Sequence, residues 1–338
     1  GPINMDKNLI MFSVVIPLYN KEKYIRTALD CLVRQSYQQF EVIVVNDGST
    51  DGGIKIVNEF KEQCAKFINR ITIINQLNQG VSSARNNGVA MASFPYIAFL
   101  DADDYWEADY LSNMKMLIEK YPTAGIYGSS YYKVKYQRKK VAKVSLNTEF
   151  RDGLINYFSL YSQTLWMPFC TDSAIIKKTV FDHLNGFNSN LKFGEDFDLW
   201  SRVAVQYPVA YLNKPLAYYN QDVDLKYRAV GGRLYEPNEH MLFTNYSSDL
   251  MSNPDFIYLR EKLILYGLLP YYSTAKNLDI VTSIIKTINL RKHEIKYFIY
   301  YRIFSPSILR AWQKLFIWGS NFKRLIINES SLSLRFIK

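Results

Sequence analysis

The chain has 338 residues, 48% of them hydrophobic, which is enough to fill one large core or two smaller ones. Three cysteines (Cys31, Cys64, Cys170) match neither a disulfide framework nor a zinc site, and His183, His240 and His293 are too scattered for a histidine metal cluster. The formal charge of +10 is lopsided: residues 1–249 carry 27 Lys and Arg against 26 Asp and Glu, whereas residues 250–338 carry 14 against 5. A near-neutral front is thus followed by a basic tail, which bears on partners rather than on fold. Residues 10–18 are apolar but have neither an n-region nor a cleavage site, so no secretory signal is expected. Residues 1–4, GPIN, precede Met5 and read as a cloning remnant.

Four strand–helix units are expected in the first 120 residues. MFSVVIP is a Val- and Ile-rich strand that Pro17 should close, followed by the loop Leu18-Tyr19-Asn20-Lys21 and a helix from about Glu22 with Ile25, Leu29, Leu32 and Val33 on one face. Tyr19 sits where a parallel sheet presents its ligand edge and could stack on a flat base; a surface tyrosine over the helix is the competing reading. FEVIVVNDGSTDGG repeats the pattern: a β-branched strand ends at Asn46-Asp47-Gly48. Asp47 can accept from a nucleobase or a ribose hydroxyl, while Ser49 to Asp51 are ordinary turn formers. No GxGxxG and no GxxxxGK[ST] occurs, so the topology is nucleotide-binding in type without either fingerprint. RITIIN precedes a helix over Val81–Ala92, with Arg85 one turn in, where it could hold a diphosphate, pair with an acidic site residue, or merely bridge on a solvated face.

The fourth strand, YIAFL, runs into Asp101-Ala102-Asp103-Asp104. Carboxylates at the edge of a core cost desolvation and mutual repulsion unless a cation compensates. A divalent ion between protein and diphosphate would do so, since Mg²⁺ and Mn²⁺ take hard oxygen ligands. A helix cap explains one Asp but not three in four positions. These repeats predict an α/β fold with a mostly parallel, Rossmann-like sheet.

Downstream, EADYLSNMKMLIEK is an amphipathic helix, AGIYGSSYYKVK a strand, and RKKVAKVSLNTEF a polar mobile or hairpin segment. The stretch between Asp152 and Asp172 carries no charge, but Asn156, Ser159, Ser162, Gln163, Thr164 and Pro168 argue against a membrane span. Trp166 is a candidate sugar platform or a core tryptophan. The loop Phe187–Gly194 leads to Glu195-Asp196-Phe197-Asp198-Leu199-Trp200, which opens a helix whose dipole favours such acids. VAYLN and PLAYYNQ follow as two short strands.

VVIPLYN, VVNDGSTD, NQGVSSARNNG, FLDADD and GFNSNLKFGEDFDLW, in this order and spacing over about residues 10–220, resemble the inverting family 2 glycosyltransferases of the GT-A fold. The resemblance implies a donor that is a nucleotide diphosphate sugar, most often UDP-linked, and a Mn²⁺ or Mg²⁺ cofactor. It implies a donor-contacting set of Pro17, Tyr19, Asp47, Arg85, Asp101, Ala102 and Asp103. Asp47 would meet the base and Arg85 the nucleotide end, and Asp103 would be the direct metal ligand with Asp101 indirect. Asp196 would be the catalytic base, with Glu195 orienting the acceptor beside Trp166, Phe193 and Gly194. The processive QxxRW string is absent, which points to single-sugar addition. Where relatives carry His or Arg after an aromatic pair, Tyr218-Tyr219 is followed by Asn220, Gln221 and Asp222, leaving Asp222, Lys226 or Arg228 as substitutes.

The division expected is a catalytic domain over 5–235, with a donor half (about 9–120) and an acceptor half (about 121–235), then a helical region over 236–338. In that tail, runs broken at Pro270, Asn289 and Pro306 interleave aromatics with cations. Tyr297, Phe298, Tyr300, Tyr301, Trp312, Phe316 and Trp318, with Arg302, Arg310, Lys314, Lys323 and Arg324, read as an interfacial surface for anionic lipid. A packed subdomain or a homodimer through these helices is the alternative. The reading is therefore a metal-dependent, non-processive glycosyltransferase, cytoplasmic and peripheral on the inner face of the membrane. Its acceptor would be a lipid-linked saccharide in bacterial surface-polysaccharide synthesis, and no nucleic acid is involved. The rivals are a nucleotidyltransferase, for which LYNKE lacks the glycines, and an inactive nucleotide-sugar-binding protein.

Overall fold

The computed structural model describes residues 9–223 and 233–326, with side chains through 316. The first half alternates as expected: β1 (Phe12–Leu18), α1 (Ile25–Val33), β2 (Phe40–Asp47), α2 (Gly53–Gln63), β3 (Ile71–Gln76), α3 (Val81–Ala90) and β4 (Tyr96–Phe99). β1 is the axis. It pairs in parallel with β2 on one side and β4 on the other, Val15 standing opposite both Ile43 and Phe99. Val14, Val15 and Ile16 are wholly buried, each such side chain contributing about 1.5–3 kcal/mol.

Pro17 does not close β1, which continues to Leu18 opposite Asn46. Val15 directs its hydrogen bonds toward β4, accepting from the Leu100 N–H. By alternation Pro17 faces the same side, beyond the last β1–β4 pair, so its missing N–H breaks no ladder bond.

The second half adds β5 (Tyr105–Trp106), α4 (Tyr110–Lys120), β6 (Ile126–Lys135), β7 (Arg138–Val141), β8 (Asp152–Ile155), α5 (Tyr157–Thr164), β9 (Ala174–Lys177), α6 (Lys178–His183), α7 (Glu195–Ala204) and β10 (Val209–Asn220). Among the described residues, ten strands form one sheet, in the order β3-β2-β1-β4-β9-β6-β10-β5, with β7 on β6 and β8 on β10. β9 is antiparallel to both its neighbours and joins the parallel front to the β6–β10 pair. The two short strands expected over 209–221 are one strand with a bulge between Leu212 and Ala217, and the basic segment after residue 137 begins as a hairpin strand on β6.

The tail comprises α8 (Ser248–Met251), α9 (Pro254–Gly267), α10 (Leu269–Ser273), α11 (Leu278–Lys286), α12 (Ile295–Phe298) and α13 (Pro306–Ile326). Its apolar faces join the core that lies under the sheet, with Phe256 against Phe158 of α5 and Phe197 of α7. Tyr297 and Tyr301, expected at an interface with lipid, are each only 6% exposed, and the Tyr301 hydroxyl donates to the Leu265 carbonyl. Both belong to the core cluster, Tyr297 from α12 and Tyr301 from the helical turn Ile299–Ile303 that follows it.

Helix α3 lies so close to β1 that a Cβ at Gly88 would come within 2.4 Å of Val15 Cγ1 and 3.1 Å of Val45 Cγ2. Alanine favours a helix by about 1 kcal/mol over glycine, but overpacking a filled core costs roughly 1–3 kcal/mol. Gly88→Ala should therefore lower the thermal melting midpoint despite its helix propensity, and an unchanged or raised midpoint would contradict this packing.

Candidate active site

The site begins where β4 ends. Asp101 to Asp104 form a tight turn, the Asp104 N–H donating to the Asp101 carbonyl at 3.0 Å, and lead into β5 rather than a helix. Helix capping thus does not account for these acids. Ala102 is 2% exposed and packs inward, which turns Asp101 and Asp103 toward the sheet edge. Any contact Ala102 makes with a donor must come through its backbone.

Two cations meet three of the carboxylates here. Arg85, 3% exposed, donates from Nη2 to both Asp101 oxygens at 2.8 and 3.1 Å and from Nη1 to Glu195 at 3.1 Å. Burial works against the guanidinium charge, but Asp101 and Glu195 outweigh it and hold the group firmly protonated. Asp103 meets the Lys21 ammonium at 2.8 Å. Burial, countered by Lys21, leaves Asp103 raised above its ordinary value.

Asp104 and Asp172 are 1% and 2% exposed. Burial and mutual repulsion raise Asp104 well above the carboxylate range, and burial with the nearby Asp101 pushes Asp172 up to about 7. Asp172 went unremarked in the sequence except as the end of an uncharged run. It accepts from the Asp101 N–H at 2.6 Å, and its carbonyl accepts from Trp106 Nε1. The only local signal was an acid one turn before a buried strand.

Ligand oxygens of Asp101, Asp104 and Asp172 lie within 4.8 Å of one another, a spacing a divalent cation could bridge. Asp104 Oδ2 is buried without a hydrogen-bond partner, and its Oδ1 accepts from the Asn220 N–H at 2.7 Å. Hard oxygen donors with an unused buried lone pair fit Mg²⁺ or Mn²⁺.

The loops after β1 and β2 are laced together. The Asn20 N–H donates to Ser49 Oγ, the Thr50 N–H to Asn20 Oδ1, the Glu22 N–H to Asp51 and the Gly52 N–H to Glu22. Tyr19 stands 46% exposed on this loop. Asp47 is 3% exposed and accepts from Gln76 Nε2 and from the N–H groups of Gln79 and Gly80, so it shapes the loop before α3 as well as ending β2.

On the opposite wall, Asn86 closes a reciprocal pair of bonds with the backbone of Phe187, both 2.9 Å, and fixes the loop that leads to α7. Sequence reasoning passed over Asn86 as the neighbour of Arg85. Gly194 takes a left-handed φ of 81°, and a Cβ there would meet the Met241 side chain at 2.1 Å. Phe193 stacks on His240 with ring centroids 4.6 Å apart. Asp196 follows at the start of α7, where burial first and then Glu195 push it up to about 7.

Trp166 packs at the edge of the core with the Lys133 ammonium 4.2 Å over its ring. Asp222 accepts from the N–H groups of Tyr136 and Gln137 and so caps the β6–β7 turn. Lys226 and Arg228 lie outside the described residues, and Trp318, Lys323 and Arg324 outside the described side chains.

Against this geometry stand the similarities to known proteins. The family model for glycosyl transferase family 2 matches residues 13–184. Glycosyltransferase GlyA of Streptococcus pneumoniae serotype 4 is 34% identical over 215 residues, 61% of this chain and 30% of that protein. The amylovoran biosynthesis glycosyltransferase AmsB of Erwinia amylovora is 40% identical over 111 residues, 33% of this chain and 36% of its own length. The chain thus spans about a third of these curated relatives. Among solved structures, residues 1–349 of Staphylococcus aureus TarS with UDP-GlcNAc superpose with a TM-score of 0.68 at 17% identity, covering 92% of both chains. The mannosyltransferase PcManGT of Pyrobaculum calidifontis with GDP-Man and Mn²⁺ gives 0.53 at 19%, covering 91% and 87%. The fold is that of the GT-A glycosyltransferases with a C-terminal helical region, and the chain belongs to glycosyl transferase family 2.

Proposed function

We propose that the protein moves one sugar, with inversion, from a nucleotide diphosphate sugar to a saccharide acceptor in the synthesis of a bacterial surface polysaccharide. The observation that carries this reading is the buried Arg85 bridge, which holds the donor-side Asp101 and the acceptor-side Glu195 on one guanidinium. A UDP-linked donor is supported by the TarS likeness with UDP-GlcNAc, and a polysaccharide product by the name of AmsB.

In the reaction, the acceptor hydroxyl attacks the anomeric carbon opposite the leaving diphosphate, and Asp196 takes its proton. With Asp196 raised to about 7 it is basic enough to do so and still largely ionised just above neutrality. Glu195, pinned by Arg85, orients the acceptor between Phe193, Gly194 and Trp166. Tyr19 and Pro17 border the base together with Asp47. Mn²⁺ or Mg²⁺, when bound, neutralises charge on the diphosphate. In this reading Asp103 is the direct ligand, beside the cluster of Asp101, Asp104 and Asp172 that could also hold the ion, and Asp222, whose oxygens accept from the β6–β7 turn, is a further candidate.

The tail extends the proposal to the acceptor. Ile308, Trp312, Leu315 and Phe316 recur at helical spacing on α13 and are 48–65% exposed, with Arg310 and Lys314 exposed beside them. None of the described helices is long and apolar enough to cross a membrane. Shallow apolar insertion plus attraction of cations to an anionic leaflet, about 1 kcal/mol for each surface-near Lys or Arg, would bring the enzyme to a lipid-linked acceptor on the cytoplasmic face.

Asp196→Asn should leave donor affinity nearly unchanged and lower transfer roughly 10²-fold or more, read by paired calorimetry and product assay. An equal loss in donor binding would contradict the role. In the wild type, kcat should rise with pH through about 7, as the base deprotonates. Glu195→Gln removes a charge that raises Asp196, so its limb should move to lower pH. For the tail, co-sedimentation should be strong on anionic vesicles, weak on neutral ones, and reduced by salt. Arg310→Glu with Lys314→Glu should release the protein while donor hydrolysis persists. A wild type that ignores anionic vesicles makes α13 a packing or dimer surface instead.

A further inference from the structure

Four carboxylates crowd the end of β4, and their counter-charges differ in one respect: whether they can leave. Arg85 cannot. Its guanidinium is 3% exposed and is held at its other nitrogen by Glu195. Asp104 and Asp172, 1–2% exposed, lie out of reach of solvent. Lys21 differs. Its side chain is 14% exposed and that of Asp103 19%, so solvent and ligand reach both. It arrives from the β1–α1 loop, 82 residues away in sequence, on a flexible four-carbon stem. Fully exposed ion pairs are worth at most about 1 kcal/mol; this one, partly sheltered, is worth somewhat more, but it sets one charge against the two of a divalent ion. An ammonium is also a compact point charge with three rotatable donors, equally suited to carboxylate and phosphate oxygens.

We propose that the Lys21 ammonium is a built-in counter-cation: it neutralises Asp103 when no divalent ion does, competes with that ion for the carboxylate, and passes to the donor diphosphate when metal and nucleotide arrive. The inference rests on the proposed metal role of Asp103. Lys21 would then set how strongly the enzyme takes up metal before nucleotide, favouring arrival of the two together and disfavouring a bare metal ion.

The discriminating measurement uses the full chain, its folding checked by thermal melting, and follows free Mn²⁺ by its electron paramagnetic resonance signal in the absence of nucleotide. Lys21→Met keeps the stem and removes the charge. It should bind Mn²⁺ roughly three- to tenfold more tightly than the wild type, and UDP in the presence of EDTA roughly three- to tenfold more weakly. Lys21→Arg should restore both values toward wild type. The opposite signs matter, because damage to the loop would weaken both ligands. Equal or weaker Mn²⁺ binding by Lys21→Met, or UDP binding that does not change, overturns the proposal. Asp103→Asn separates the two levels. If it abolishes Mn²⁺ binding while Lys21→Met changes nothing, the metal role stands and the Lys21 role fails. If Asp103→Asn leaves Mn²⁺ binding intact, both fail.

Discussion

A guanidinium buried to 3% is a liability unless its charge is met, and Arg85 is met twice, by Asp101 from the end of β4 and by Glu195 from the start of α7. Removing one partner of such a cluster leaves an uncompensated buried charge, a loss on the order of 3–5 kcal/mol. The three residues come from segments 16 and 110 positions apart, so the pair of bonds ties the front of the sheet to the loop and helix of the second half. The same residues reach the rest of the site: the Asp101 N–H donates to Asp172, and Glu195 directly precedes Asp196, whose basicity its charge raises.

What could be read from the sequence was the part encoded locally. Apolar runs that end in Asp47 and Asp101 announce strands that deliver acids to one edge, and the parallel register of β1, β2, β3 and β4 bears that out. The family resemblance is confirmed by the match over residues 13–184. The antiparallel β9 between β4 and β6 was not legible, because four residues, three of them buried, carry no mark of direction. Nor was Asp172. Its neighbours in space come from 66 to 71 positions away, and no periodicity records a contact of that span. Pro17 misled for a related reason, since whether a proline ends a strand depends on whether the neighbouring strand is still there.

The tail shows the limit of composition. Tyr297 and Tyr301 are buried while Trp312 and Phe316 are exposed, although all four lie among cations in helical sequence. An aromatic next to a lysine serves equally as a core side chain or as an interfacial one, and the choice is made by which neighbouring helix covers the face. Here α9 covers the turn that carries Tyr301, and α13 keeps Leu309 inside while leaving Ile308, Trp312 and Leu315 outside.

The lacing between the loops after β1 and β2 bears on how such a site could be altered. Five bonds cross between Asn20 or Glu22 and residues 49–52, and Asn20 holds a left-handed φ of 50° to make them. The two loops are therefore one unit with respect to length and shape. Replacing the Tyr19 loop alone with that of another enzyme would strand the N–H groups of Thr50 and Gly52, and replacing the second alone would strand those of Asn20 and Glu22. Any transplant that reshapes this end of the sheet has to exchange both loops together, although 29 or 30 residues of chain separate them.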